Sequence, residues 1–319
     1  MTIQSKQILT SEITGLFDEF CKNYEVTDVK IAMKKACQTL RLNSKIDSTP
    51  VQLQNILSHC NAKLVEKELS TNGRLDIGDN CYRVLVQNNL PVSIKRFTIA
   101  HEIGHIILTD VLANNPSHLR KTMLSSSWES IEKLCDYAAA QILVPDEDFV
   151  ESIGKFGLTT EGIEKIRNQY QVSYEVIFRK FVDIFSPSAI ILWKSRGTGL
   201  VDEIAPRIIR YPYSTIPGIP IEEDSIGTPR QRSVVRVAIS KGSAWVNSIK
   251  CQIDGKEQPI IAYAFPLKEK NYFTKVRVSD TILGKYEEKV RSYYDVIMFY
   301  LPTELIYKTD ALQKALGIE

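Results

Sequence analysis

The chain has 319 residues, of which 44% are apolar and 24% charged, a balance typical of a globular protein that buries a core. This composition excludes a disordered, collagen-like or coiled-coil chain. Forty basic and 38 acidic side chains leave a formal net charge of +2, so no global charge draws the protein onto nucleic acid or a membrane surface.

The start of the chain has no apolar core long enough for a signal peptide, and no stretch approaches the length of a membrane span. The six cysteines are scattered and form no C-x-x-C pair. Such cysteines are typical of reduced, mostly buried thiols. We therefore predict a cytoplasmic protein without a membrane partner.

The N-terminal part has helical periodicity. Met33, Ala36, Cys37 and Leu40 recur at helical spacing, and a polar segment that ends at Pro50 interrupts the pattern. We predict a helical extension over residues 1–47, followed by a short helix that ends near His59.

Three short segments then have the composition of β-strands. They are Lys63–Leu69, Arg74–Ile77 and Cys81–Gln87. The Asn-Gly pair at positions 72–73 is a typical hairpin signal, so we predict a small antiparallel sheet.

Two strongly periodic helices follow the predicted sheet. The first begins after Pro91, and the second has its apolar residues on one face and ends before Pro145. The polar segment between them, 110–127, is predicted to be a loop. Residues 158–185 are predicted to form two more helices around a turn at Val172 and Ser173.

Beyond residue 188 the sequence becomes rich in strand patterns. The predicted strands are Ala189–Trp193, Ser233–Ser240, Ala244–Gln252, Gln258–Pro266, Tyr272–Val278 and Val296–Leu301. We predict an α+β protein, with a mainly helical domain over residues 48–187 and a strand-rich α+β domain over 188–319 that senses or regulates.

The first periodic helix carries an H-E-x-x-H motif at residues 101–105. Residues four apart lie on one face of a helix, so His101 and His105 can offer two imidazoles to a single zinc ion. Glu102 lies about 100° around the helix from His101. It is poorly placed to be a ligand but can reach a water molecule held on the metal.

A catalytic zinc site usually has three protein ligands. The sequence lacks a further histidine at the spacing that would complete the longer H-E-x-x-H-x-x-G-x-x-H motif, so the third ligand should be a carboxylate from another segment. Glu132 on the second periodic helix is the natural choice, with Asp110 and Glu129 as alternatives. Asp136, one turn after Glu132, is placed to accept a hydrogen bond from a ligand histidine.

These motifs resemble the ImmA/IrrE family of metallo-endopeptidases. In that family a helix reading R-F-T-x-A-H-E-x-G-H is followed by E-x-x-A-[ND]-x-F-A-A-x-L-L-x-P. The first pattern occurs here at 96–105 and the second at 132–145, with Cys135, Ala138 and Val144 in place of the usual Ala, Phe and Met. The match covers roughly residues 50–185, and its departures remove no ligand.

The resemblance implies one Zn²⁺ per chain, held by His101, His105 and Glu132, with Glu102 as the catalytic base. It also implies that the substrate is a helix-turn-helix transcriptional repressor, whose cleavage derepresses genes for stress responses, mobile elements or phage defence. The strand-rich domain would then be a sensor of the GAF-like type. We expect the substrate to lie as an extended strand against Cys81–Gln87, at the edge of the sheet.

Two other functions compete with the peptidase. The first is a DNA-binding regulator that uses the helices at 158–185, where Arg167, Arg179 and Lys180 would meet phosphates. The second is a ligand-sensing regulator built on a catalytically inactive peptidase scaffold. A related hypothesis for the zinc site is that Cys81 or Cys135 blocks its open position.

Overall fold

The computed structural model describes residues 17–78, 81–112, 128–186, 188–197, 204–207, 234, 237–238, 241–253, 256–267, 270–277 and 286–318. The chain divides into two compact units, Met1–Phe149 with Arg167–Ile177 and Val150–Ile166 with Phe178–Glu319. Helices and sheets occur together, so the α+β class is confirmed. The units divide the chain differently from the boundaries expected at residues 47 and 187, which stay predictions.

The first unit begins with a short helical segment at residues 17–23, and several helices and strands follow it. They are α1 (Val29–Asn43), α2 (Leu53–His59), β1 (Ala62–Lys67), β2 (Gly73–Ile77), β3 (Tyr82–Gln87), α3 (Val92–Leu112) and α4 (Trp128–Leu143). Three helices follow in the chain: α5 (Asp146–Phe156), α6 (Thr160–Tyr170) and α7 (Tyr174–Ile184). Helix α5, which has three acidic residues in its first turn, is not among the predicted elements.

The three-stranded sheet is mixed, and its strand order is β1-β3-β2. β1 pairs parallel with β3, whereas β2 pairs antiparallel with it. The predicted all-antiparallel pairing is therefore wrong for β1. The chain reverses direction after Lys67, but β2 lies on the far side of β3, so β1 pairs with β3 and not with β2. Since both sides of β3 are paired, the prediction that Cys81–Gln87 offers the sheet edge to a substrate is also wrong.

The N-terminal helix α1 packs on α4. Its Asp28 N-cap accepts hydrogen bonds from the backbone N–H groups of Lys30 and Ile31. Arg41 Nη1 donates to the Ile142 carbonyl at 2.7 Å, and so satisfies a backbone acceptor near the C-terminal end of α4. The α1 helix therefore supports one of the two helices that carry the predicted metal ligands.

The second unit contains an antiparallel six-stranded sheet. Its strands are β4 (Ala189–Gly197), β5 (Ile204–Arg207), β6 (Ala244–Ile253), β7 (Lys256–Pro266), β8 (Lys270–Arg277) and β9 (Tyr286–Pro302), and two short helices follow, α8 (Thr303–Tyr307) and α9 (Asp310–Leu316). The order is β5-β4-β9-β7-β6, and β8 pairs with β9. The GAF-like assignment stays a prediction.

One predicted strand of this half is wrong. In the Ser233–Ser240 segment, the described residues Val234, Val237 and Ala238 are helical. Their i, i+3, i+4 spacing fits a helix as well as the apolar run fits a strand, and Val234 and Ala238 are buried.

No helix among the described residues has the length and apolar character needed to span a membrane. Most of the predicted loop at 110–127 lies outside the described residues, while its first residues continue helix α3 to Leu112.

Candidate metal centre

The site is built where α3 and α4 pack closely. A Cβ placed on Gly104 of α3 would lie 3.1 Å from the Cβ of Ala138 and 3.1 Å from the Cα of Cys135 on α4. Glycine at this position and alanine opposite it therefore let the helices approach each other without side chains between them. This contact brings the histidine face of α3 against the acidic face of α4.

The three predicted ligands meet at one point. The Nε2 atoms of His101 and His105 are 3.2 Å apart. The two carboxylate oxygens of Glu132 lie 3.2 Å from His101 Nε2 and 3.3 Å from His105 Nε2. Among the described residues, this is the group of ligand atoms able to hold a metal ion, and it contains no cysteine.

Asp136 lies on the other side of the His101 ring. Its Oδ1 is 3.0 Å from His101 Nδ1, which leaves Nε2 to face Glu132 and His105. Burial lowers the pKa of His101, but the hydrogen bonds with Asp136 and Glu132 outweigh it and raise that pKa to about 9. Burial raises the pKa of Glu132, but the hydrogen bonds from both histidines lower it to about 2.

Cys135 has the corresponding position beside His105. Its Sγ lies 3.4 Å from His105 Nδ1. The thiol is fully buried, and burial raises its pKa well above the ordinary value. Because Sγ lies on the Nδ1 side of the ring, away from the Nε2 atoms that meet Glu132, the structure argues against Cys135 as a block on an open metal position.

Glu102 is buried between α3 and β2, with 6% of its surface exposed. Burial raises its pKa, and the positive charges of His105 and His101 oppose this rise. The neighbouring backbone N–H of Leu75 on β2 also lowers this pKa. The carboxylate is therefore held beside the ligand cluster without belonging to it.

The two alternative third ligands take no part in the cluster as described. Asp110 Oδ1 accepts a 2.5 Å hydrogen bond from the Tyr82 hydroxyl. The side chain of Glu129 lies outside the described residues.

The cations named for DNA binding do not form an exposed row on α6 and α7. Arg167 stacks on the Tyr174 ring at 4.9 Å, and only 1% of Lys180 is exposed. Arg179 is partly buried. A nucleic-acid surface needs exposed cations that reach phosphates, so these helices offer little support for that function.

Sequence reasoning missed three contributors to the site. Leu75 contributes a backbone group, Gly73 permits the close approach of β2, and Cys135 contacts a ligand histidine. The first leaves no sequence signal, because any residue except proline carries the same N–H. Gly73 belongs to the predicted hairpin turn, and Cys135 to the departures from the family pattern that remove no ligand.

The donor set fits zinc. Two imidazole nitrogens and one carboxylate are a ligand combination found in catalytic zinc sites, which leave a position for water. Each histidine also has a partner on its second ring nitrogen, as zinc-binding histidines usually do. Without a cation, two imidazole nitrogens 3.2 Å apart would need a shared proton, so the geometry suits a metal ion well.

Comparison with known proteins gives matches to the region that carries the site. Residues 62–181 match the family described as the IrrE N-terminal-like domain. The radiation response metalloprotease IrrE of Deinococcus radiodurans is 33% identical over 93 residues, which are 28% of this chain and 27% of that protein. The chain thus spans about a quarter of the length of this curated relative. A solved structure of a Mycobacterium tuberculosis transcriptional regulator is 12% identical, covers 97% of this chain and 85% of its own, and has a TM-score of 0.48.

Proposed function

Because residues 62–181 match the family described as the IrrE N-terminal-like domain, we propose that this chain is a zinc-dependent endopeptidase that hydrolyses a peptide bond in another protein. The observation that carries the proposal is the meeting of His101, His105 and Glu132 ligand atoms, all within 4.8 Å of one another, beside a buried carboxylate. A binding or sensing module has no need for such a carboxylate next to a metal.

In this mechanism His101, His105 and Glu132 hold the metal. A zinc ion bound there would acidify a bound water toward pKa about 7 and polarise the substrate carbonyl. Glu102 accepts a proton from the attacking water as the water oxygen bonds to the carbonyl carbon. It then returns that proton to the amide nitrogen as the C–N bond breaks, so that one water is consumed and a carboxyl and an amine are released.

Asp136 and Cys135 orient the two histidines in this scheme. By occupying Nδ1 of each ring, they keep both Nε2 atoms directed at the metal position. The raised pKa of Glu102 suits a base that must also hold a proton between the two steps.

The substrate would add to β2, the edge strand beside Glu102. Its backbone groups at Gly73 and Ile77 lie on the side away from β3, where an extended segment can pair with them. Ile77 is 46% exposed on this strand and offers an apolar contact to such a segment.

The partner we propose is a helix-turn-helix transcriptional repressor, and the consequence of its cleavage is derepression of stress, mobile-element or phage-defence genes. The support is the family resemblance, together with the radiation response in the name of the Deinococcus relative. The place of action that we propose is the cytoplasm, where such a repressor is found.

The test is to incubate the zinc-loaded protein with helix-turn-helix repressors encoded next to its own gene and to identify products by mass spectrometry. We expect one specific cut that disappears on metal removal and returns on adding zinc. Intact repressors throughout, with zinc bound at one ion per chain, would favour the inactive scaffold. Salt-sensitive, sequence-specific DNA binding would instead favour the DNA-binding regulator.

A further inference from the structure

The face of α3 that carries the ligand histidines continues toward the start of the helix as an apolar surface. At about 100° per residue, Ile94 lies about 20° around α3 from His101, and Phe97 lies about 40° to the other side. Ile94 keeps 39% of its surface exposed, and Phe97 is partly exposed. Two accessible apolar side chains thus share a helix face with the candidate metal ligands, and we call them the Ile94–Phe97 surface.

This surface begins next to a ligand. The rings of Phe97 and His101 have their centroids 6.4 Å apart and are tilted by 42° to each other. Along the helix axis, Phe97 lies about 6 Å and Ile94 about 10 Å from His101. An extended peptide advances about 3.3 Å per residue, so the two side chains lie about two to three residues from a peptide bond held near His101.

The charged side chains next to the Ile94–Phe97 surface are turned toward other elements. Lys95 Nζ lies 2.7 Å from Glu66 Oε2 on β1. Arg96 Nη2 donates a hydrogen bond to the Val51 carbonyl at 3.0 Å. A substrate side chain that rests on Ile94 and Phe97 would therefore meet carbon atoms, because both neighbouring cations are engaged elsewhere.

Exposed apolar character alone does not identify this surface, because Val92 at the start of α3 is 65% exposed. Val92 precedes His101 by nine residues and so lies about 180° around the helix, on the face opposite the ligands. Isolated exposed apolar residues are ordinary in proteins. Ile94 and Phe97 differ from Val92 because they are neighbours at i, i+3 and adjoin the candidate metal site.

We propose that Ile94 and Phe97 form an apolar specificity subsite, which binds a Leu-like side chain two or three residues from the scissile bond. The occupant is the extended substrate segment that flanks this bond, because the surface is continuous with the metal site. Removing apolar area of both partners from water supplies the binding free energy. This inference rests on the proposed function, since it takes the metal site as the place of cleavage.

The first arm of the test measures binding of peptide hydroxamates to the zinc-loaded full chain by calorimetry. The probes acetyl-X-Gly-NHOH and HONH-malonyl-Gly-X-amide place X about two residues from the zinc-binding group, on either side of it. With X as Leu or Ser, we expect the wild type to bind the Leu probe about tenfold or more tightly in one of the two series.

Substitutions at Ile94 make this arm specific. In Ile94→Ser the preference for Leu should fall to about threefold or less, with zinc content unchanged. In Ile94→Lys a probe with X as Glu should gain about two- to fivefold over Ser, and about 1 M salt should abolish that gain. Val92→Ser is the matched control, because it removes an exposed apolar side chain from the opposite face and should keep the wild-type preference.

The second arm measures cleavage of the helix-turn-helix repressors offered to the zinc-loaded protein. We expect an apolar residue two or three positions from the cut, and its replacement by Ser should lower kcat/KM about tenfold in the wild type. The same replacement should have about a threefold effect or less in Ile94→Ser, since the contact is already lost there.

Separate outcomes overturn the subsite and the proposed function. Leu and Ser probes that bind within twofold of each other in both series would overturn the subsite, as would an unchanged preference in Ile94→Ser. If no repressor is cut although the hydroxamates bind, endopeptidase activity fails as the function, and the binding ratios still decide whether the subsite exists. A chain that takes up no zinc would overturn both.

Discussion

The candidate metal centre is only partly buried, whereas the interior of the C-terminal sheet is fully buried, and the two are built from different kinds of side chain. At the metal centre, His101, His105 and Glu132 place polar atoms about 3.2 Å apart. In the C-terminal unit, Phe299 packs against the rings of Phe181 and Phe265 at 4.7 and 5.6 Å.

This difference predicts that the residues needed for metal binding and the residues that stabilise the fold lie in separate regions. Aromatic packing contributes through buried area and shape, so its loss lowers the free energy of unfolding. Converging polar atoms cost free energy to desolvate and need partners such as a cation to offset that cost. Substitutions in the two regions should therefore change different measured quantities.

The largest effect is expected from removing a ligand. Glu132→Ala takes away the carboxylate that meets both histidines, and zinc content should fall from about one ion per chain to near zero. Elemental analysis of the purified protein measures this directly. His105→Ala should behave alike, and a full complement of zinc in both variants would mean that the metal binds elsewhere.

Glu102→Gln should separate metal binding from catalysis at the same centre. The amide keeps the size of the side chain but cannot accept the proton, so we expect cleavage to fall by about 10²- to 10⁴-fold with zinc content unchanged. The measurement is the single-turnover rate beside elemental analysis. Unchanged cleavage would remove Glu102 from its role.

Phe299→Ala tests whether the aromatic interior of the C-terminal sheet contributes to stability and not to metal binding. It removes a ring buried among Phe178, Phe181 and Phe265, and we expect a loss of about 3–5 kcal/mol in the free energy of unfolding. Zinc content should stay at the wild-type value. Denaturant unfolding followed by fluorescence measures this free energy. Loss of zinc from the folded variant would show that the two regions are not separable.

The pH dependence of metal binding should reveal the protonation of the predicted ligand histidines. In the metal-free protein the pKa of His101 is about 9, so below that pH a proton must leave before the metal binds. We expect apparent affinity to fall about tenfold for each unit of pH lowered between 9 and 7, as titration against a competing chelator would show. Glu132, with a pKa of about 2, stays ionised and adds no slope in this range.

The same raised pKa has a consequence for the metal-free fold. A histidine whose folded pKa is raised stabilises the protein fully below its unfolded pKa, near 6.5, and loses that contribution as pH rises through about 9. Denaturant unfolding of the chelator-treated protein should therefore show lower stability at pH 9 than at pH 6.5 from this site. The prediction would be contradicted if the free energy of unfolding rose between pH 6.5 and pH 9 in the wild type but not in His101→Ala.

The smallest effect is expected at Cys135. Cys135→Ala removes the thiol beside His105 Nδ1, and zinc affinity should fall by about tenfold, at the lower end of what loss of such a contact costs. Competition with a chelator measures it. The matched comparison is Asp136→Ala, where a carboxylate is lost from His101 and the decrease should be larger; equal affinities in the wild type and Cys135→Ala would show that the thiol only fills space.

The helices, and the grouping of the predicted ligands on them, were predictable because their signals are local. The spacing of His101 and His105 depends only on helical geometry, and the apolar face of α4 ends as predicted at Leu143 before Pro145. The strand pairing was not predictable in the same way. The Asn-Gly pair at 72–73 has the composition of a hairpin turn, yet Gly73 is required by contact with Thr98, a residue on another element.

The sequence by itself therefore determined the α+β class and the two helices that carry the predicted ligand residues. The tertiary structure decided that β1 pairs parallel with β3, that β2 is the edge beside Glu102, and that Asp136 and Cys135 contact different histidines. The reason is the range of the interactions. Helical periodicity acts within a few residues, whereas strand order and the contacts of Gly73 depend on segments that meet only in the folded chain.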